Sequence, residues 1–402
     1  MTKVFVGMSG GVDSSVTAAL LVEQGYDVTG VYMKNWSQDL PGMKCPWADD
    51  LADAKRVAVQ LGINFTVFDF EKEYREKVVQ YMIDEYQLGR TPNPDIMCNQ
   101  EVKFKLFLDT ALEQGADKIA TGHYARVRRG DLQKVSQDAV ASRHENCPEN
   151  SLSPVELPVV KQSSSSQESS KKLFGLSEAP HTSNTSLSQL LMAKDTNKDQ
   201  TYFLYRVTAE ALGKTLFPLG DYTKAEVREM AKQRGLYTAG KKESMGICFV
   251  GQVGIREFLG EYVDTKPGDI VEKETGKTVG KHEGAIFYTL GQRHGLNVGG
   301  GLPYYVVGKD MSHNVVYVSQ NINNEDIWRR QIILKNIHWI HGAPENGAKL
   351  QVRVRHRAPL VDCTLDAQGN ISLAEPQRAV TPGQSAVLYS GQVCLGGGIV
   401  VE

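Results

Sequence analysis

No stretch of this 402-residue chain stays apolar for the ~20 residues that a membrane-spanning helix needs, so no membrane partner is expected. No targeting leader is expected either. The opening M-T-K-V-F-V-G runs at once into an apolar strand pattern, which leaves no room for a signal or transit peptide. Cysteine is scarce: six residues, widely scattered, do not make the framework of a secreted disulfide protein. A reducing, cytoplasmic setting follows, in which a few thiols are available for chemistry. There is no excess of positive charge either. With 45 Lys and Arg against 47 Asp and Glu, the net charge of −2 gives no global pull on nucleic acid, and an RNA partner would have to be held by local basic patches. What remains, 41% hydrophobic and 23% charged residues, is the balance of an ordinary globular chain, long enough for two or three domains.

One more absence is local. The stretch V-F-V-G-M-S-G-G-V-D-S-S-V, Val4 to Val16, passes from a strand through Gly and Ser into a helix, as phosphate-binding loops do. A Walker A loop would place a lysine before its final Ser or Thr. Here Asp13 stands in that place, before Ser14. The glycines let the backbone pass close to an oxyanion, Ser9, Ser14 and Ser15 add hydroxyl donors, and the next helix offers free N–H groups. A carboxylate suits a loop that helps hold a metal-bound pyrophosphate rather than one that steadies a transferring γ-phosphate. Taken alone, the segment is equally well a tight turn with no ligand.

Over the first 125 residues strands and helices alternate. Apolar runs at Val4–Val6, Val28–Met33, Phe65–Phe70 and Lys118–Ala120 alternate with helical patterns at Ser14–Gln24, Asp49–Leu61, Glu73–Tyr86 and Glu101–Gln114. That order predicts an α/β fold with a doubly wound parallel sheet, which binds ligands at the carboxyl ends of its strands. Met33, ending the second strand, and Gly122, ending the fourth, are nucleotide-contact candidates by that rule. From 130 to 189 the chain is rich in Ser, Pro and Asn, as in Q-S-S-S-S-Q-E-S-S-K-K, and reads as a disordered insertion. Lys224–Arg234 reads as an amphipathic helix with Asp221 or Thr223 as its cap. Turns crowd the chain beyond Gly251, and alternating strands after Ile327 predict a small barrel. The expected domains are 1–250, with the insertion inside it, a small central domain at 251–323, and a C-terminal β-barrel at 324–402.

Two cysteines stand in unusual settings. In T-P-N-P-D-I-M-C-N-Q-E-V-K-F the prolines and Asn93 break one helix, and Asn99 is placed to cap the next. Cys98 would then sit at a helix N-terminus, where the dipole favours thiolate. A buried structural thiol is the other reading. Cys248, in K-E-S-M-G-I-C-F-V-G, lies between glycines at 246 and 251, a setting that lets a thiol swing between partners. Cys45, Cys147, Cys363 and Cys394 read as structural. Basic clusters at Arg126/Arg128/Arg129, Lys241/Lys242, Arg329/Arg330 and Arg353/Arg355/Arg357 are candidate RNA contacts. In the last of these, alternation on a strand would put all three arginines on one side.

The segment S-G-G-V-D-S, Ser9 to Ser14, resembles the signature of the PP-loop ATP pyrophosphatase superfamily, a Rossmann-like fold that activates a carbonyl by adenylation and releases pyrophosphate. N-P-D-I-M-C-N, T-G-H-Y-A-R, K-D-Q-T-Y-F-L, M-G-I-C-F-V-G and G-Q-R-H-G-L, in this order along nearly the whole chain, resemble the bacterial tRNA-specific 2-thiouridylases. The resemblance implies an ATP-dependent sulfurtransferase that adenylates the C2 oxygen of the wobble uridine of tRNA and then replaces it with sulfur. It implies Cys98 as nucleophile and Cys248 as the persulfide carrier. Gly7, Met8, Ser9, Gly10, Gly11, Val12, Asp13, Ser14, Met33 and Gly122 would bind ATP with Mg²⁺. Asn93, Pro94 and Asp95 would meet the target base. His123, Lys198, Asp199, Gln200, Arg355, His356 and Gln384 would contact tRNA, although His356 stands where the family usually has Tyr. A sulfur-relay protein or cysteine desulfurase would supply the persulfide sulfur, and no resident metal is implied. Three alternatives stay open: an amine-using PP-loop ligase, a non-catalytic RNA-binding module, and an iron–sulfur cluster on Cys98, Cys248 and Asp95.

Overall fold

A computed structural model describes residues 1–39, 45–130, 187–242, 255–299 and 301–401. The segment 131–186, and with it most of the expected insertion and Cys147, lies outside the described residues, as does Cys248. The flanks of that segment are regular: Arg126–Gly130 and Leu187–Leu191 are strands. Ser188 and Gln189 therefore belong to the sheet rather than to an insertion starting at 130 and ending at 189. Ser188 is buried, and its carbonyl accepts from His341 Nε2.

The N-terminal sheet is fully parallel. Its strands are β1 (Lys3–Gly7), β2 (Asp27–Lys34), β3 (Asn64–Asp69), β4 (Lys118–Ala120) and β5 (Thr215–Leu216), in the order β3-β2-β1-β4-β5. The register pairs Val4 with Val28 on one side and with Lys118 on the other. The chain builds outward from β1 to β3, then returns to β1's opposite flank with β4. This reversal opens a crevice at the carboxyl ends of β1 and β4, the usual ligand position in such sheets. Met33 does not end β2, because the strand runs to Lys34, and Gly122 lies two residues beyond β4. Both still sit at the carboxyl edge.

Helix α1 (Val12–Glu23) follows β1 and is buried on nearly all sides, so its sequence shows little amphipathic period. Helix α2 (Trp47–Leu61) is amphipathic, with Ala54, Val57 and Ala58 inward, and Gly62 closes it in the left-handed conformation. The third helical stretch is an α segment, Glu71–Tyr74, then a π turn, Arg75–Val79, then α again, Gln80–Gln87. Lys224–Gln233 opens on a full capping box. Thr223 Oγ1 accepts from Glu226 N, and the Thr223 amide donates back to Glu226 Oε2. Such a cap stabilises a helix by ~1 kcal/mol.

The middle of the chain forms a four-stranded sheet of Tyr305–Asp310, Val315–Ser319, Gly268–Glu272 and Thr278–His282, in that spatial order, around Ile270, Val306, Val316 and Val318. The C-terminal strands run from Trp328–Ile332 to Val393–Val400, almost all antiparallel neighbours, around Leu350, Val352, Leu365, Ile371 and Leu388. Leu187–Leu191 adds to this sheet by pairing Leu190 with Cys394 and Leu191 with Val393. The stretch leading into K-D-Q is thereby tied to the C-terminal barrel. The architecture is an α/β parallel-sheet domain followed by two β-rich ones. Among the described residues no helix is long and apolar enough to cross a membrane.

Candidate active site

The loop after β1 is shaped by contacts that only small residues permit. Gly10 has φ +70°, and a Cβ there would run into the carbonyl of Asp50 in the first turn of α2. A Cβ on Gly122 would stand 3.0 Å from the Asp13 carbonyl carbon and the Ser14 nitrogen, so the turn after β4 presses against the start of α1. Ser14 Oγ accepts from the Ser9 amide at 3.2 Å and donates to Gly11 O, which folds the loop back over the helix end. Gly11, the residue before the helix, carries no side chain to cap it. The first-turn amides of α1 thus face the crevice as an anion-binding end. Met33 lies under the same turn: a Cβ on Gly7 would be 2.9 Å from its Cε.

The lysine that the loop lacks arrives from a distant helix. Lys224 Nζ donates to both carboxylate oxygens of Asp13, at 2.6 and 2.8 Å, and Tyr124 Oη donates to Asp13 Oδ1 at 2.9 Å. Lys224 opens its helix, directly after the Thr223 cap, and its own amide donates to Asp195 Oδ2. A cation at a helix N-terminus opposes the macrodipole. Asp13 offsets that, and the result is an ammonium held at the mouth of the loop. Its position is the clue sequence reasoning missed: a lysine in the first helical turn is on the wrong end for the dipole.

The strip Thr91–Phe104 differs from its expected form. The preceding helix ends at Gln87, as the prolines lead one to expect, but the next begins at Pro94 rather than Glu101, and Pro94–Met97 continues without a break into a π stretch, Cys98–Leu106, and then Phe107–Glu113. Proline at the first helical position lacks only an amide that would have had no intrahelical partner. Asn99 is therefore inside the helix and caps nothing; its Nδ2 donates to Phe203 O at 3.0 Å. Cys98 sits a full turn in and is completely buried, so the argument from a helix end no longer applies to it. Asn93 is extended just before the helix, with Pro94 and Asp95 in its first turn. The strip is pinned from the barrel: Thr91 N donates to Pro382 O, and Gln384 Nε2 donates to Thr91 O at 2.7 Å. Thr91 Oγ1 also meets Thr289 Oγ1 at 3.2 Å, a contact unsignalled in the sequence.

His123 joins the loop to the strip. Its ring packs on Phe104 of the Cys98-bearing helix, with centroids 5.6 Å apart, and on Phe217, while Nδ1 meets Thr121 Oγ1 at 2.8 Å. Burial holds its pKa well below that of an ordinary histidine, and Lys103 adds to the effect. The K-D-Q segment is a junction. Gln200 Oε1 accepts from Tyr124 N, and the Tyr124 carbonyl accepts from Gln200 N, next to the tyrosine that reaches Asp13. Asp199 is 1% exposed and accepts from Ala193 N, Thr201 Oγ1 and Arg353 Nη1. Its carboxylate is an internal anchor rather than a surface group for RNA.

The expected arginine stripe is corrected in the same way. The strand ends at Arg353, whose guanidinium is buried against Asp199 at 2.9 Å. Arg355 Nη2 donates to Leu290 O, Ala379 O and Thr381 Oγ1, and the exposed Arg357 breaks the strand pattern with a left-handed backbone, φ +64°. Lys241 likewise is no open basic patch, since it bridges Asp50 and Asp53 at 2.7 Å each. His356 packs on Phe203 with centroids 4.5 Å apart.

Burial, with the Arg357 charge adding to it, lowers the His356 pKa to about 4, so at neutral pH it is an uncharged ring suited to stacking and not to holding phosphate as a cation. In an unfolded chain the same ring protonates near pH 6.5. Between those values the unfolded state takes up the extra proton. The contribution of His356 to stability is then complete above about pH 6.5 and is lost as the pH falls toward 4. His356→Phe should flatten the acid limb of urea midpoints measured from pH 7 to pH 4.5; a limb as steep as in the parent would contradict this.

Comparison with known proteins agrees with the fold and with the order of these elements. Residues 2–146 and 176–252 match the tRNA methyl transferase HUP domain, 256–320 the tRNA methyl transferase PRC-barrel domain, and 329–400 the aminomethyltransferase beta-barrel domain. The tRNA-specific 2-thiouridylase MnmA of Bacillus licheniformis is 43% identical over 99% of this chain and 95% of its own. Its namesake in Listeria monocytogenes is 42% identical over 99% and 94%, and that of Staphylococcus aureus 41% over 99% and 95%. With the parallel sheet, the S-G-G-V-D-S loop at its switch point and the two β-rich domains in the same order, the chain belongs to the family of tRNA-specific 2-thiouridylases.

Proposed function

We propose that this protein is an ATP-dependent sulfurtransferase that replaces the C2 oxygen of the wobble uridine of tRNA with sulfur. The observation that carries the reading is the coupling of two sites. The phosphate-type loop and the Cys98 strip share one junction, in which Gly122 presses on α1 while the adjacent His123 packs on the helix that bears Cys98. A nucleotide at the loop and a base at the strip would then be neighbours, as transfer between them requires.

The residues present suit a triphosphate: an uncapped helix end, two serine hydroxyls and a turn that only glycine fits. Mg-ATP, when bound, supplies the adenylyl group that makes the C2 oxygen a leaving group. Asp13, which Lys224 and Tyr124 hold at the mouth of the loop, would be the carboxylate nearest the accompanying Mg²⁺. The α1 amides and Lys224 take up the negative charge that collects on the departing pyrophosphate. Asn93, Pro94 and Asp95 position the base. The terminal sulfur of a persulfide on Cys248 attacks C2, a C–S bond forms, and AMP leaves with the electron pair of the C–O bond. Cys98, as thiolate, then attacks the inner sulfur of Cys248. The S–S bond to the transferred atom breaks, the thiocarbonyl is left on the base, and a Cys98–Cys248 disulfide forms. A dithiol reductant restores both thiols, and a persulfide-bearing donor protein reloads Cys248.

Nucleoside mass spectrometry of unmodified tRNA, incubated with the protein, Mg-ATP and a persulfide donor, tests this. The expected product is a wobble uridine heavier by the difference between sulfur and oxygen, formed with AMP and pyrophosphate and lost in Cys98→Ser and Cys248→Ser. Pyrophosphate release without sulfur in the RNA would sink the thiolation reading and favour an amine-using ligase.

A further inference from the structure

Lys103 is the single basic residue of the strip Thr91–Phe104. It lies in the π stretch Cys98–Leu106, five residues after Cys98. In a regular α-helix a residue five positions on stands about 140° round the axis. Bonding over five residues, as from the Phe107 amide to Val102 O, closes that angle and brings the fifth residue back nearly over the first. Lys103 therefore rises one turn beyond Cys98 on the same side, with its stem leaning back toward the Cys98 turn. The outer side of the helix belongs to Glu101, which faces Lys77 and Lys105 at 3.7 and 3.5 Å. Lys103 is two positions on, across the axis from Glu101. It is half-buried between the buried Val102 and Phe104. On that side lies His123. Its ring packs on Phe104 with centroids 5.6 Å apart, and the Lys103 charge is near enough to oppose its protonation. His123 follows Gly122, the residue that presses on Asp13 and Ser14 at the start of α1. The ammonium is thus carried by the strip and stands on the side that meets the loop.

The three phosphates of ATP make different demands on such a junction. The β and γ phosphates leave together, and the α1 amides with Lys224 are placed for them at the mouth of the loop. The α-phosphate stays with the adenosine. Its phosphorus forms a bond to the uridine C2 oxygen as the bond to pyrophosphate breaks, and that electron pair goes to the pyrophosphate. The α-phosphate must therefore face the strip. Its outer oxygens carry charge during the transfer, and the neutral His123 ring beside them cannot offset it. A cation already held there, half out of water, can.

We infer that Lys103 is a further catalytic residue, which binds the α-phosphate of ATP from the strip side and holds it through transfer to the uridine oxygen. The inference rests on the proposed ATP-dependent adenylation. It divides the charge of the nucleotide between two lysines: Lys224 serves the part that departs, and Lys103 the part that stays.

Calorimetric titration with AMP and with adenosine tests this, for the parent protein, Lys103→Met and Lys103→Arg, with thermal melting to confirm folding. AMP carries the α-phosphate alone, and adenosine carries none. Loss of one charge-assisted contact should weaken AMP binding by about 10-fold in Lys103→Met and leave adenosine within about twofold of the parent, and Lys103→Arg should restore most of the AMP affinity. At saturating ATP, tRNA-dependent AMP formation should also slow in Lys103→Met. Equal weakening of both ligands would make Lys103 structural and overturn the inference. So would an AMP affinity equal to the parent's; if sulfur transfer alone then slowed, the ammonium would serve the Cys98 thiol instead. Neither ligand reports on sulfur chemistry. A parent that thiolates tRNA, set beside a Lys103→Met variant with an unchanged preference for AMP over adenosine, would therefore defeat this inference and leave the proposed function standing.

Discussion

Lys224→Ala is expected to cut tRNA-dependent AMP and pyrophosphate formation by about 10²–10³-fold while tRNA still binds with parental affinity. The magnitude is that of removing one pre-oriented charge donor from a site where negative charge develops. The geometry makes Lys224 the cation of a loop that has none of its own: both its bonds to Asp13 are short, it is nearly buried, and Thr223 and Asp195 fix the backbone on either side of it. An ammonium already in place need not be ordered during the reaction. Lys224→Arg should recover only part of the rate, because a planar fork does not reproduce a point charge at the same spot. Quench-flow measurement of AMP, set beside the tRNA affinity, is the check. A rate within threefold of the parent would make the Asp13–Lys224 pair purely structural.

The second large effect is on stability. Asp199→Ala is expected to destabilise the protein by about 3–5 kcal/mol, the range for removing one partner of a buried ion pair. Both side chains are almost fully shielded, at 0% and 8% exposed, and Arg353 would be left as a buried charge facing Tyr389 alone. The Ala193 amide and the Thr201 hydroxyl would lose their acceptor as well. Arg353→Met in the Asp199→Ala background should recover much of the loss, since it removes the stranded charge. Urea unfolding followed by fluorescence reads both. At a temperature where Asp199→Ala stays folded, its tRNA affinity should lie within twofold of the parent, as befits an anchor. A small stability change together with a large loss of RNA binding would return Asp199 to the RNA surface.

The parts of this fold that were legible in the sequence are those written locally. Apolar runs alternating with helical periods gave the parallel sheet, and S-G-G-V-D-S after an apolar strand marked the loop. The failures have two physical causes. The break before the Cys98 strip holds, since one helix ends at Gln87, but the next starts at Pro94 rather than at Glu101, because proline fits the first helical position, and Cys98 falls in the second turn rather than at the helix end. The others are long-range pairings that no local pattern encodes. Asp13 finds Lys224 211 residues away, and Asp199 finds Arg353 154 residues away. The alternation R-V-R-H-R promised one face, but the strand stops at its first arginine, and each of the three then follows a different partner or turn.

The central claim is that the loop and the strip act on one atom, the C2 oxygen of the target uridine. A tRNA carrying ¹⁸O at that oxygen, incubated with the protein, Mg-ATP and a persulfide donor, tests it most directly. The account predicts that the label leaves the RNA and appears in the phosphate of AMP, one atom for each sulfur gained. Label retained in the RNA, or lost to water with unlabelled AMP, would contradict it.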